Sequence, residues 1–164
     1  MKVVLGHGAS GNAASMKPYV VGFKRRGIDA MAVDLPRSNV ERAVEVFLAK
    51  AGRDVVAGGQ SYGGRMASMA AVQTDFAGLV LFSYPLHRPG FPDQLRTEHF
   101  PRIRCPVLFM SGDRDPFAQT ALLKKWVKVV PNARLEIFPG QGHGLVPVLD
   151  QALDVAADFL KSLP

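Results

Sequence analysis

Cysteine is almost missing from this 164-residue chain, which contains only Cys105. An intrachain disulfide framework is excluded, a reducing compartment is the expected setting, and Cys105 itself reads as a small apolar residue at the start of a strand. Metal-ligand spacing is missing too. The four histidines are widely separated, and neither a C-x-x-C nor an H-x-x-x-H pair occurs, so no metal and no other cofactor is expected. Long apolar runs are equally scarce. The longest, around Phe76 to Phe82, is strand-sized and far short of the ~20 residues of a membrane span. The opening Met1-Lys2-Val3-Val4-Leu5-Gly6 is too short for a signal peptide and reads as a strand, so a cytoplasmic location without a membrane partner is expected.

Acidic residues are outnumbered, 14 against 20 Lys and Arg, giving a net charge of +6. Such a balance can mark a nucleic-acid binder, but here the basic residues are scattered from Arg25 and Arg26 to Arg102 and Arg104. The densest cluster, Lys124-Lys125-Trp126-Val127-Lys128, has the pattern of a helix whose Leu122, Leu123 and Val127 face inward and whose basic face is solvated. No DNA- or RNA-reading motif accompanies it, so no nucleic-acid partner is expected. A mild preference for anionic small molecules is compatible with the charge.

With 48% hydrophobic residues, the chain can bury one core, and a single domain over 1–164 is expected. Strands and helices alternate. Strands are expected at 2–5, 29–35, 54–58, 76–82, 106–110 and 134–138. Helices are expected at 14–26, 39–50 with Ser38 as N-cap, just after Ser61, 117–130 and 146–162. Short uninterrupted apolar strands with helices between them imply a doubly wound six-stranded parallel sheet covered on both faces. The proline-rich stretch from Tyr84 to Arg104 breaks this rhythm. It falls at the ligand-binding edge of such a sheet, either as a short flap with a helical turn or two over Leu95 to Phe100, or as a connecting loop.

The most informative segment is Gly59-Gln60-Ser61-Tyr62-Gly63, between the strand Asp54 to Gly58 and a small-residue helix. In such a strand–turn–helix elbow the serine adopts a strained backbone, and glycines two residues away on either side let strand and helix approach closely. Ser61 is the candidate nucleophile. A serine hydroxyl needs a base, itself oriented by a carboxylate. His143, in a glycine-flanked loop after the last strand, is the best-placed base, whereas His87 and His99 read as structural or substrate-facing residues. Asp113 and Asp115 both occupy the turn after the strand at 106–110, with Asp34 in reserve. Asp115 precedes Pro116, a natural first residue of the next helix, so it could instead be only a helix cap. Two N–H groups should hold a tetrahedral oxyanion: that of Tyr62 at the start of the helix, and that of Ala9 in the loop after the first strand. His7 is expected to shape that loop or to touch substrate, and Met16, Tyr84 and Leu145 are candidate acyl-pocket walls by loop position.

Together, His7-Gly8-Ala9-Ser10-Gly11-Asn12, Gly59-Gln60-Ser61-Tyr62-Gly63-Gly64-Arg65-Met66-Ala67, Ser111-Gly112-Asp113-Arg114-Asp115-Pro116-Phe117 and Gly142-His143-Gly144 resemble an α/β-hydrolase over essentially the whole chain. Within that superfamily the chain resembles the small, lidless dienelactone-hydrolase-like proteins, including a branch also found in chromatin-associated proteins. The resemblance implies a minimal α/β-hydrolase fold without a cap domain. It lacks the usual first two antiparallel strands and keeps the strand order second, first, third, fourth, fifth, sixth. The family's G-x-x-D pattern selects Asp115, and the chain order Ser61, Asp115, His143 is that of the elbow fold. Serine stands where dienelactone hydrolases proper carry cysteine. The implied activity is that of a serine hydrolase acting on a small-molecule ester or thioester, with acyl transfer or perhydrolysis open to the same residues. A catalytically silent interaction module on the same fold is the alternative.

Overall fold

The computed structural model describes residues 1–164. Its elements run β1 (Lys2–Gly6), α1 (Lys17–Arg25), β2 (Asp29–Val33), α2 (Val40–Leu48), β3 (Gly52–Gln60), α3 (Tyr62–Ala70), β4 (Phe76–Phe82), β5 (Val107–Gly112), α4 (Thr120–Val127), β6 (Ala133–Phe138) and α5 (Leu149–Lys161). Every strand pairing is parallel, and the strands lie in the order β2-β1-β3-β4-β5-β6. This is the minimal α/β-hydrolase sheet that the resemblance implies.

Alternating side chains along the central strands feed two cores. Val4, Ala57, Leu79, Leu81, Val107 and Phe109 pack on one face against Ala43 and Phe47 of α2, Met66 and Ala70 of α3, and Leu123 of α4. On the other face Val3, Leu5, Val56, Val80, Phe82 and Leu108 meet Phe23 of α1 and Ala152, Leu153, Ala156 and Phe159 of α5. Burial on both sides is why these strands are uninterrupted apolar runs. The edge strand β6 instead alternates exposed Arg134 and Glu136 with partly buried Leu135 and Ile137. Adjacent strands β1 and β3 send their following helices, α1 and α3, to opposite faces. The crevice this opens at the strand C-termini is where open α/β sheets bind ligands.

Several expected boundaries shift. Asn39, not Ser38, caps α2, its side chain accepting the Arg42 N–H at 3.0 Å. Helix α4 starts at Thr120 rather than near 117 because side chains capture the preceding N–H groups. Asp115 Oδ1 accepts that of Phe117, and His87 Nε2 that of Gln119. Of the helical turn or two expected over 95–100, the structure has a turn closed by the Phe100 N–H on Thr97 O at 3.0 Å, which leads into a 3-10 helix at Phe100–Arg102. The 84–104 segment is anchored by buried Tyr84, Leu86, Thr97, Phe100 and Ile103. No helix is long and apolar enough to cross a membrane.

Candidate active site

Ser61 joins β3 to α3 with φ 52° and ψ −115°. For a residue with a Cβ this left-handed region costs about 1–3 kcal/mol, tolerated only where the surroundings over-determine it. Three features do so here. The Ser61 N–H extends the β3–β4 ladder to Phe82 O at 2.9 Å, and the Ser61 carbonyl accepts the Arg65 N–H at 3.1 Å to start α3. The glycines on either side are sterically required: a Cβ on Gly59 would lie 2.2 Å from Gly6 O, and one on Gly63 2.2 Å from the Gly6 carbonyl carbon. The elbow is thus wedged directly against the end of β1. A serine at a helix N-cap ordinarily accepts from the first-turn N–H groups, but Ser61 makes no such bond. Its Oγ faces His143 Nε2 at 2.8 Å instead.

His143 lies in the loop after β6, and its Nδ1 is 2.8 Å from Asp115 Oδ2. The Asp115 side chain is fully removed from solvent. A carboxylate only accepts, so Nδ1 carries the proton and Nε2 presents its lone pair to the Ser61 hydroxyl. Asp115 Oδ1 accepts the Phe117 N–H at 2.8 Å, which spends both carboxylate oxygens. Asp115 therefore braces its own turn as well as His143, and it is not the cap of α4. The other two aspartates point elsewhere: Asp113 accepts from Gly140 N at 2.8 Å and Asp34 from Ala13 N at 2.7 Å.

A cavity of about 430 Å³ opens beside Ser61 and is lined in part by Ala9, Tyr62 and His143. The Ala9 N–H donates to no protein group. Tyr62, as the first residue of α3, has no intrahelical acceptor for its N–H. Two free donors beside a hydroxyl–imidazole–carboxylate relay can stabilise a developing oxyanion. No three His, Cys, Asp or Glu side chains converge in a way that could hold a metal ion.

The expected pocket walls are corrected. Met16, Tyr84 and Leu145 are each no more than 2% exposed, packed in the two cores and away from the cavity. Met16 is the last residue of the short 3-10 helix Ala13–Met16 and its one buried side chain, and the Tyr84 hydroxyl is spent on Arg96 O at 2.7 Å. His7 does not reach substrate space either. Its Nδ1–H donates to Gly8 O at 2.7 Å and its Nε2 accepts the Leu35 N–H at 2.9 Å, which pins the loop carrying Ala9 to the end of β2. The walls are supplied by Gln60, Arg65, Pro85, Arg96 and Phe117 among others. Arg65 carried a usable signal, because a residue four beyond Ser61 shares its helix face. Arg96 carried none.

Neither His99 nor Cys105 lines the cavity. His99 Nε2 lies 2.8 Å from Ser68 Oγ, and burial, with Arg65 and Arg102 nearby, pulls its pKa down to about 4. Cys105, at the far end of β5 from Asp115, has its thiol pushed up to about 11 by burial.

A family model described as an alpha/beta hydrolase domain matches residues 16–160, and the chain belongs to that family. It is 35% identical over 100 residues to a non-heme haloperoxidase of Rhodococcus erythropolis, a match covering 59% of this chain and 32% of that protein. The chain spans a third or less of the length of the curated relatives it matches. Among solved structures, a monoacylglycerol lipase of Paleococcus ferrophilus superposes with a TM-score of 0.82 at 16% identity, covering 97% of this chain and 93% of that one. A propionate-bound esterase of Thermogutta terrifontis gives a TM-score of 0.74 at 20% identity, covering 97% and 82%. At these identities the likeness establishes the fold.

Proposed function

We propose that this chain is a serine hydrolase that cleaves a small carboxylic ester or thioester through an acyl-enzyme, as a lidless, dienelactone-hydrolase-like member of its family with serine as nucleophile. The carrying observation is the relay from Ser61 Oγ to His143 Nε2 and from His143 Nδ1 to Asp115 Oδ2, each step 2.8 Å. Ser61 Oγ attacks the carbonyl carbon while its proton passes to His143 Nε2. The oxyanion is held by the Ala9 and Tyr62 N–H groups, and Asp115 stabilises the imidazolium. On collapse, the bond to the alcohol or thiol breaks and the leaving group takes the proton from Nε2. Water then repeats the sequence on the acyl-enzyme, with His143 again as base, releasing the acid and restoring Ser61. The open cavity, without a cap above it, supports a small substrate. The single Cys105 supports work in a reducing, cytoplasmic setting.

Hydrolysis of p-nitrophenyl acetate and butyrate by the wild type and by Ser61→Ala tests the reading. Turnover that disappears in the variant is expected. Equal rates in both would show that the hydrolysis does not pass through Ser61.

A further inference from the structure

The cavity beside Ser61 is lined by Arg37, Arg65 and Arg96 and by no Asp or Glu. None of the three pairs with a carboxylate, since the ion pairs of the structure belong to Arg26, Arg53 and His143. Arg65 is the most unusual. It stands one helical turn beyond Ser61, and its Nε–H is shut off from solvent with no hydrogen-bond partner in the protein. Buried donors are nearly always paired, and an orphaned one signals a missing acceptor.

Arg96 comes from the segment between β4 and β5 and is held in place through its backbone. Its carbonyl accepts from the buried Tyr84 hydroxyl, its N–H donates to Leu86 O at 2.9 Å, and one Nη1–H reaches Pro85 O at 3.3 Å. The rest of its guanidinium has no protein acceptor. Arg65 and Arg96 also share the adjoining groove with His99, Arg102 and Glu98. Glu98 is the only carboxylate there, and it is exposed and in no ion pair. Burial and the charges of Arg65 and Arg88 lower the Arg96 pKa. Two guanidinium groups held close together without a counter-ion are stabilised when an anion arrives.

We propose that Arg65 and Arg96, with exposed Arg37 at the rim, form an anion subsite, and that the ester or thioester cleaved at Ser61 carries a carboxylate or phosphate group that docks there. The substrate assignment rests on the hydrolase reading above; the subsite itself is testable without it. Desolvated guanidinium–anion contacts that the neutral analogue cannot make should discriminate by about tenfold or more.

The test compares p-nitrophenyl hemiglutarate with p-nitrophenyl valerate, which match in chain length and differ in charge. The readout is the ratio of their kcat/KM values, which cancels general effects of a substitution. In the wild type the ratio should exceed about ten at low salt. It should fall toward one in Arg65→Gln and in Arg96→Gln, with Arg65→Lys intermediate. In parallel, calorimetric titration of Ser61→Ala with glutarate and with inorganic phosphate should detect binding that the added Arg65→Gln substitution removes, and the tighter anion tells carboxylate from phosphate. A wild-type ratio near or below one, or one unmoved by either arginine substitution, overturns the substrate assignment while leaving Ser61 catalysis intact. Anion binding that persists without ester turnover keeps the subsite and removes the hydrolase reading. Binding of neither anion overturns the subsite.

Discussion

The imidazole of His143 lies against the ring of Phe117, with centroids 4.1 Å apart and planes 26° from parallel. One carboxylate fixes both partners, because Asp115 accepts His143 Nδ1–H with one oxygen and the Phe117 N–H with the other. The base is thus held at its edge by a charge and on its face by a ring. Phe117→Ala should free the imidazole to leave the 2.8 Å contact with Ser61 and lower kcat on the order of tenfold. Steady-state kinetics with p-nitrophenyl acetate would measure this, and an unchanged kcat would show that Asp115 alone positions His143.

The two aspartates of the turn should separate cleanly. Asp115→Asn places an amide against His143 Nδ1 and favours the wrong tautomer, so kcat should fall on the order of a thousandfold or more. Asp113 serves the Gly140 N–H, an acceptor role that asparagine can keep, and Asp113→Asn should lose only a few-fold. Comparable modest losses in both variants would remove Asp115 from the relay. A lowered melting temperature with full activity per folded Asp115→Asn molecule would assign it to bracing the turn alone.

His99 gives a pH signature in stability. Its folded pKa of about 4 lies below the ordinary 6.5, chiefly through burial and secondarily through Arg65 and Arg102. Between these values the unfolded chain binds more protons at this site than the folded one. Its stabilising contribution is therefore complete above pH 6.5 and is lost as pH falls toward 4. Melting temperatures of wild type and His99→Asn between pH 7 and pH 4 should converge as pH drops. Parallel curves would show that His99 is not held neutral.

Pocket size sets the fourth expectation. A cavity of about 430 Å³ beside Ser61, open to solvent, suits short acyl groups. Rates on p-nitrophenyl esters should peak at acetyl to butyryl and fall by octanoyl. A steady rise to palmitoyl would mean that the 84–104 segment moves aside to expose a deep apolar channel.

The six parallel strands, the elbow serine Ser61 and the base His143 were legible in the sequence for physical reasons, whereas the strand order and the choice of Asp115 over Asp113 came from the resemblance to α/β-hydrolases. Buried parallel strands leave uninterrupted apolar runs, and an elbow serine needs Gly59 and Gly63 where the chain presses on Gly6. Pocket walls were not legible. Met16, Tyr84 and Leu145 sit in loops or next to them, where a turn of one residue decides between core and cavity, and all three turned inward. The true wall residue Arg96 lies 35 positions from Ser61 (96 − 61) in a proline-rich segment without periodicity. Ser38 and Asn39 are both good caps, and only the backbone path into α2 selects Asn39. The α4 boundary escaped because the Asp115 and His87 side chains, not helix carbonyls, hold the N–H groups at 117 and 119.

The central claim is that Ser61 is a nucleophile activated by His143, and fluorophosphonate labelling tests it most directly. Mass spectrometry of the treated wild type should find a single adduct on the peptide carrying Ser61. Ser61→Ala should take no label and lose on the order of ten-thousandfold in kcat, and His143→Ala should label far more slowly. A folded wild-type protein that takes no label, or takes it elsewhere than at Ser61, would contradict the account and leave a hydrolase fold used as an interaction module.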